Sequence, residues 1–266
     1  MAVATKNRIL TDAHITSFHR DGFVRVEDLL TRDEVAVLAE RTDLIASGKA
    51  AHIPKERIQL EAKFRENAAL ADDMVMAVRK LAHLTNFDDV LRQHALNPKI
   101  VDVIADLMDS DDLMLYGDQL FMKPAYHGSA KEWHQDSASF KNMFPMDLVS
   151  AWTAIDDATI ANGCLNFVPG SHRWGVIPQH LVPTFQAEFG ADGAFPAVPV
   201  ELKSGSVSFH HSLAFHASGP NTTPNRRRGY ATHYMRARTL VDPEQGNIHN
   251  LPPFTHVRGR RFEGWA

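Results

Sequence analysis

The rhythm of apolar and polar positions changes near Asp112. Before it, apolar residues recur at helical spacing. After it, short aromatic and β-branched runs alternate with turn residues. In the first part, "TDAHITSFHRDGFVRVEDLL" predicts a short helix, then a glycine turn into a strand. "TRDEVAVLAERTDLIASG" predicts a longer helix. Thr31 and Glu34 fit a reciprocal N-terminal cap, Leu38 and Leu44 are assigned to an apolar stripe, and Gly48 fits the stop. Residues 49–75 are mixed and charged and carry no assignable period. "NFDDVLRQHALNPKIVDVIADLMDS" predicts two helices interrupted at Asn97-Pro98, with the proline opening the second.

The later segments "LMLYGDQLFMKP", "LVSAWTAIDDA", "CLNFVPGSH", "VPVELKSGSVSFHH" and "RRGYATHYMRA" read as strands separated by Gly, Pro and Asn turns. That pattern belongs to a β-sandwich or barrel. The expected organisation is one domain over residues 1–266, with 1–112 mostly helical, 113–238 a β core and 239–266 an irregular tail.

Composition narrows the function. The single cysteine, Cys164, excludes an intrachain disulfide framework and a cysteine-built zinc site. A net charge of −4 argues against a nucleic-acid partner. No run approaches the ~18 apolar residues of a membrane span. The start, "MAVATKNRIL", lacks the apolar core of a signal peptide. A cytoplasmic protein with no membrane partner is therefore expected. The one compositional excess is 15 histidines.

Two of them stand in His-x-Asp, at His19–Asp21 and at His134–Asp136. On a strand, residues two apart share a face, so such a pair can supply two of the three ligands in a two-histidine, one-carboxylate iron site. With 15 His and 21 Asp, chance alone supplies about one match, so spacing decides little. His19–Asp21 falls at the end of a predicted helix, where residues two apart diverge. His134–Asp136 falls among the predicted strands. His210 and His211 are adjacent, so at most one of them points inward. His216 precedes a turn, and Arg226, Arg227 and Arg228 open a later strand. "RRR" reads either as a solvated basic loop or as one inward guanidinium that forks onto a carboxylate.

Taken together, "DGFVRVEDLLTRDEV", "LFMKP", "WHQD", "SAWTAIDDATIANGCLNFVPGSHRWG" and "HASGPNTTPNRRRGYATHYM" resemble the phytanoyl-CoA dioxygenase family of Fe(II)- and 2-oxoglutarate-dependent oxygenases. The resemblance implies a mainly β fold with flanking helices, built on a double-stranded β-helix core of the jelly-roll, cupin-like kind. It implies Fe(II) held by His134, Asp136 and His216, with 2-oxoglutarate and O2 as co-substrates. The family's co-substrate arginine falls on Arg227. On a strand Arg227 shares its face with the small Gly229 and Ala231, whereas Arg228 shares one with Tyr230 and Tyr234. Ser218, Gln119, Trp152 and Lys80 match further positions around 2-oxoglutarate. Two of them have a plainer reading: Trp152 as core, Gln119 as partner of a buried backbone group. Asn162-Gly163 and Pro169-Gly170-Ser171 read as turns. His172 is a candidate for the substrate entrance. The retained carboxylate at Asp136 favours hydroxylation over halogenation.

The resemblance implies hydroxylation of an unactivated C–H bond in a small-molecule substrate, with 2-oxoglutarate converted to succinate and CO2. The alternatives are an inactive or regulatory β-barrel of the same fold, another metal-dependent reaction on such a barrel, and an acyl-CoA hydroxylase. No basic cluster stands out beyond the arginine run and the tail, which favours a small molecule over a CoA ester. Selectivity is expected from residues 49–75, 125–132, 137–147, 176–198 and the tail. Phe140, Met143 and Phe144 are assigned either to an apolar substrate wall or to the core, with Lys141 as one charge beside them.

Overall fold

A computed structural model describes residues 8–65, 73–140, 142–189, 195–242, 244 and 254–263. The chain opens with α1 (Asp12–Asp21), β1 (Phe23–Val26) and α2 (Arg32–Ala46). It continues through β2 (Ile58–Leu60), β3 (Val78–Ala82), α3 (Asp89–Ala95) and α4 (Pro98–Met108). The central run is β4 (Leu113–Lys123), β5 (Lys131–His134), α5 (Asp136–Phe140), β6 (Met143–Phe144), β7 (Val149–Ala154) and β8 (Leu165–Phe167). Then come α6 (Val182–Phe189), β9 (Val198–Val200), β10 (Val207–His211), β11 (His216–Ser218), β12 (Arg227–Arg236), β13 (Leu240–Val241) and β14 (Thr255–Arg258).

Local chemistry sets the helix ends. Thr31 accepts from the Glu34 backbone N–H while the Glu34 carboxylate accepts from the Thr31 N–H. Such reciprocal caps satisfy two of the donors that a helix start leaves open. Asn97 caps α4, and Pro98 opens it, as its missing N–H and fixed φ allow. Gly22 ends α1 at φ 86°, where a Cβ would also strike the His172 ring. The stripe on α2 differs from the expected one. Leu38 is buried but Leu44 is 37% exposed, and Thr42, Ile45 and Ala46 face inward. Six residues turn about 600°, which puts Leu44 on another side of the helix from Leu38.

Two antiparallel sheets face each other in a jelly-roll arrangement that does not close into a barrel. The larger runs β1-β10-β7-β12-β4-β3-β2, with β14 also on β4, and the smaller runs β5-β11-β8-β9. The outer face of the large sheet meets the helices. There Ile100 and Ile104 of α4, Leu91 of α3 and Ile45 of α2 share one apolar core with Phe209, Tyr230 and Tyr234. Each such aliphatic side chain contributes roughly 1.5–3 kcal/mol by leaving water. Between the sheets lies a smaller core containing Trp152, Phe167, Val200 and Ala231.

The residues before Asp112, expected to be mostly helical, also carry β2 and β3, and the tail carries β14. All three strands lie toward one end of the large sheet, on β4 or beyond it. Two have only three or four residues, too short to show a period of two over flanking noise.

Candidate active site

Strand register brings three side chains together between the sheets. His216 on β11 pairs with His134 on β5. Asp136 follows two residues later, but not on the strand: β5 ends at His134 and Asp136 opens the short α5. The pair therefore converges through a strand-to-helix corner, not through the shared strand face expected from its spacing. His134 Nε2 lies 3.8 Å and His216 Nε2 3.9 Å from Asp136 Oδ1. One ligand atom from each residue falls within 4.8 Å of the others.

The surroundings fix which atoms face one another. His134 Nδ1 donates to the Glu132 carbonyl at 2.8 Å, and His216 Nδ1 to the Ala214 carbonyl at 2.9 Å. A carbonyl only accepts, so both protons sit on Nδ1 and both Nε2 lone pairs point at Asp136. Burial holds both imidazoles neutral: it lowers His216 to about 4 against the opposing pull of Asp136, and it lowers His134 well below its usual value. Burial alone would raise Asp136, but the hydrogen bond from His210 and the nearby imidazoles outweigh it and hold the carboxyl well below its usual range. Two neutral imidazoles and one carboxylate fit a divalent iron with open positions, and no proton must leave at neutral pH for the ligands to bind.

A second row positions the carboxylate. His210 on β10, Ser150 on β7 and His233 on β12 are direct cross-strand neighbours. Ser150 Oγ and His210 Nε2 each lie 3.3 Å from Asp136 Oδ2, and Ser150 Oγ is 2.7 Å from His233 Nδ1. Oδ2 is thereby occupied and Oδ1 left toward the imidazoles. Partners of this kind orient a ligand. Ser150 and His233 were not legible in the sequence, because the row exists only once three strands are in register. His210 was half legible: of the adjacent histidines, His210 faces the site, and His211 packs against His172 with ring centroids 5.5 Å apart.

The same cavity is lined by Gln119, Trp152, Ser218 and Arg227. Arg227 is 1% exposed. Its Nη2 donates to the Gly163 carbonyl at 2.9 Å, and its guanidinium lies 5.2 Å from the Trp152 ring. Its Nε and Nη1 are buried without a partner among the described residues. A buried cation with open donors costs several kcal/mol unless a ligand answers it. Gly229 makes the space, since a Cβ there would come within 1.8 Å of the Trp152 ring. The neighbouring arginines are committed elsewhere. Arg228 makes a two-pronged pair with Asp156 and reaches Asp43, and Arg226 pairs with Asp43 at 2.6 Å.

Other expected residues fall differently. Lys80 does not line the cavity, although it pairs across to Phe121, which does. His172 packs under Gly22 and His211 and stays away from the cavity. The Asn162-Gly163 and Ser171 turns are structural: Asn162 caps the Thr159 N–H, and Ser171 Oγ bridges Val168 and Phe215. Phe140 and Met143 belong to a core with Tyr116, and Phe144 is 72% exposed; none of the three lines this cavity. Lys141 lies outside the described residues. The His19–Asp21 pair is surface chemistry, with Asp21 bonded to Arg20 and Ser17.

The sequence showed no basic cluster near the site, yet the fold assembles one. Arg79, Lys123 and Lys131 join Arg227 around the cavity, with Glu61 among them. Among the described residues no helix is long and apolar enough to cross a membrane.

The phytanoyl-CoA dioxygenase family model matches residues 18–229. A probable phytanoyl-CoA dioxygenase of Caenorhabditis elegans is 34% identical over 161 residues, which cover 55% of this chain and about half, 51%, of that protein. A phytanoyl-CoA dioxygenase domain-containing protein 1 homolog of the same organism is 26% identical over 268 residues, covering 86% and 92% of the two chains. Among solved structures, the epimerase SnoN, in complex with Fe3+, alpha ketoglutarate and nogalamycin RO, superposes with a TM-score of 0.67 at 26% identity, over 91% of this chain and 90% of that one.

Proposed function

This chain belongs to the phytanoyl-CoA dioxygenase family, and from that premise we propose that it is a non-haem Fe(II)- and 2-oxoglutarate-dependent dioxygenase that hydroxylates an unactivated C–H bond of a small molecule. His134, Asp136 and His216 hold the iron. Arg227 takes the distal carboxylate of 2-oxoglutarate on its free Nε and Nη1, assisted by Ser218, while Gln119 and Trp152 wall the pocket and Lys80 adds positive charge from the neighbouring strand. When bound, the metal supplies oxygen activation coupled to decarboxylation of 2-oxoglutarate to succinate and CO2.

The protein's share is positioning. The backbone carbonyls of Glu132 and Ala214 fix both imidazole tautomers. Ser150 and His210 hold Asp136 Oδ2, which leaves Oδ1 for the metal. Trp152 and the missing side chain at Gly229 shape a buried slot around Arg227, where charge-assisted hydrogen bonds are strong. The carboxylate at position 136 fills the place a halide would need, which supports hydroxylation.

The observation that carries the reading is the buried, half-unpartnered Arg227 opening into the same cavity as the His134–Asp136–His216 set. The test is succinate formation from 2-oxoglutarate across a substrate panel, with product mass. Succinate that rises with one substrate and a product 16 mass units heavier, about one oxygen atom, supports the proposal. Protein that binds neither Fe(II) nor 2-oxoglutarate overturns it.

A further inference from the structure

Strand β3 departs from regular alternation where it faces the cavity. Gln59 pairs with Lys80 and Leu60 with Val78, so Arg79 is the extra residue of a β-bulge. Val78 and Leu81 both enter the helix-side core. The two cations between them are turned the other way: Arg79 lines the cavity, and Lys80 neighbours Phe121 on the cavity face. Without the bulge, one of two consecutive cations would face the apolar core, and bulges commonly re-aim a side chain beside an active site. Lys131 reaches the same cavity from the opposite sheet, as the cross-strand partner of Ser218.

The other charges around the cavity have partners or assigned roles. Lys123 Nζ donates to the Ser129 and Gly219 carbonyls at 2.6 Å each and has Glu61 as a nearby counter-charge. Arg227 and Lys80 serve 2-oxoglutarate in the reading above, and Asp136 serves the metal. Arg79 and Lys131 remain. Neither forms an ion pair among the described residues, and each is close enough to feel the other's charge. Lys131 feels the attraction of Asp136 before the repulsion of Arg79, and Asp136 is committed to the metal in the reading above, so a bound anion would offset the repulsion of two cations that face one cleft. Phe121, Met122 and Leu165 supply apolar lining beside them.

We propose that Arg79 and Lys131 form an anion subsite that selects a substrate whose apolar body carries an oxyanion, either a carboxylate or a phosphate ester. The proposal deepens the dioxygenase reading and rests on it. It places substrate selection on two residues 52 positions apart, joined by a bulge in one sheet and a strand of the other.

The test uses the anaerobic protein loaded with Fe(II) and 2-oxoglutarate, titrated with octanoate, octyl phosphate and neutral octanamide at constant ionic strength. Binding is read by calorimetry, and the visible band of the iron–2-oxoglutarate chelate is followed in parallel. At least one anion should bind tenfold or more tightly than octanamide with the band retained, and which anion does so tells carboxylate from phosphate recognition. Arg79→Ala with Lys131→Ala should erase the preference, and Lys131→Arg should keep it. Equal binding of the three probes, no anion binding, a preference that survives the double variant, or loss of the band on adding an anion would each overturn the proposal. The last outcome would place the two cations in the co-substrate pocket. Failure to form the band at all counts against the dioxygenase reading and is thereby distinguishable.

Discussion

The two faces of β12 are made of adjacent residues and are built on opposite rules. On the outer face, Arg228 is matched by Asp156 and Asp43, and the Tyr234 hydroxyl donates to the Ala95 carbonyl. On the inner face, Arg227 keeps two donors open, and Gly229 and Ala231 leave space. At Arg228 and Tyr234 the protein supplies the partner. At Arg227 two donors are left for a ligand. An arginine's role is therefore read from its unmet hydrogen bonds, and burial does not distinguish the two: both arginines are at most 5% exposed.

The sharpest way to break this comparison is to remove a proposed metal ligand that lies in the cavity the inner face of β12 lines, on β11 of the opposite sheet. His216→Ala should abolish 2-oxoglutarate turnover, at least a thousandfold, while the fold survives, as circular dichroism would check. The outer face should behave in the opposite way. Arg228→Ala strands the half-buried Asp156 and part of Asp43 and should cost about 2–3 kcal/mol of stability in a denaturant melt. Arg227→Ala should cost far less stability and instead weaken 2-oxoglutarate binding roughly a hundredfold, in line with ~3 kcal/mol for a lost charge-assisted pair. If Arg228→Ala weakened binding while Arg227→Ala unfolded the protein, the assignment of the faces would be reversed.

Acid should act on both faces together. His94 on the helix side and His216 and His233 on the site side are each lowered to about 4, chiefly by burial. The unfolded chain then binds more protons than the folded one between about pH 6.5 and 4. Their contribution to stability is fully present above about pH 6.5 and is lost as pH falls toward 4. Thermal melts of the metal-free protein should show Tm falling steadily through that window, and a flat profile would contradict the buried neutral state. The smallest effect belongs to Phe144, which is 72% exposed. Phe144→Ser should change stability by no more than ~0.5 kcal/mol and leave turnover intact.

What could be read from the chain followed the range of the interaction. The cap of α2, the break at Pro98 and the strands after Asp112 are local, and the residues alone announce them. That Arg227, and neither neighbour, lines the cavity was legible because small residues share its face. Features made by register were not. Asp136 turned out to sit on a helix, His210–Ser150–His233 became a row only across three strands, and Arg79 reached the cavity through a bulge. Leu44 misled because apolar character was read without its helical angle, and Phe144 because nearness in sequence to Asp136 stood in for nearness in space.

The central claim is that Arg227, and neither neighbour, holds 2-oxoglutarate beside a metal set by His134, Asp136 and His216. Its most direct measurement is an anaerobic titration of 2-oxoglutarate into the Fe(II)-loaded protein, following the visible band of the chelate, in the wild type, Arg227→Ala and Arg226→Ala. The account predicts a saturable band in the wild type, unchanged midpoint in Arg226→Ala, and a midpoint raised roughly a hundredfold in Arg227→Ala at unaltered Fe(II) affinity. A wild-type midpoint in Arg227→Ala, or no band in the folded wild type, would contradict it.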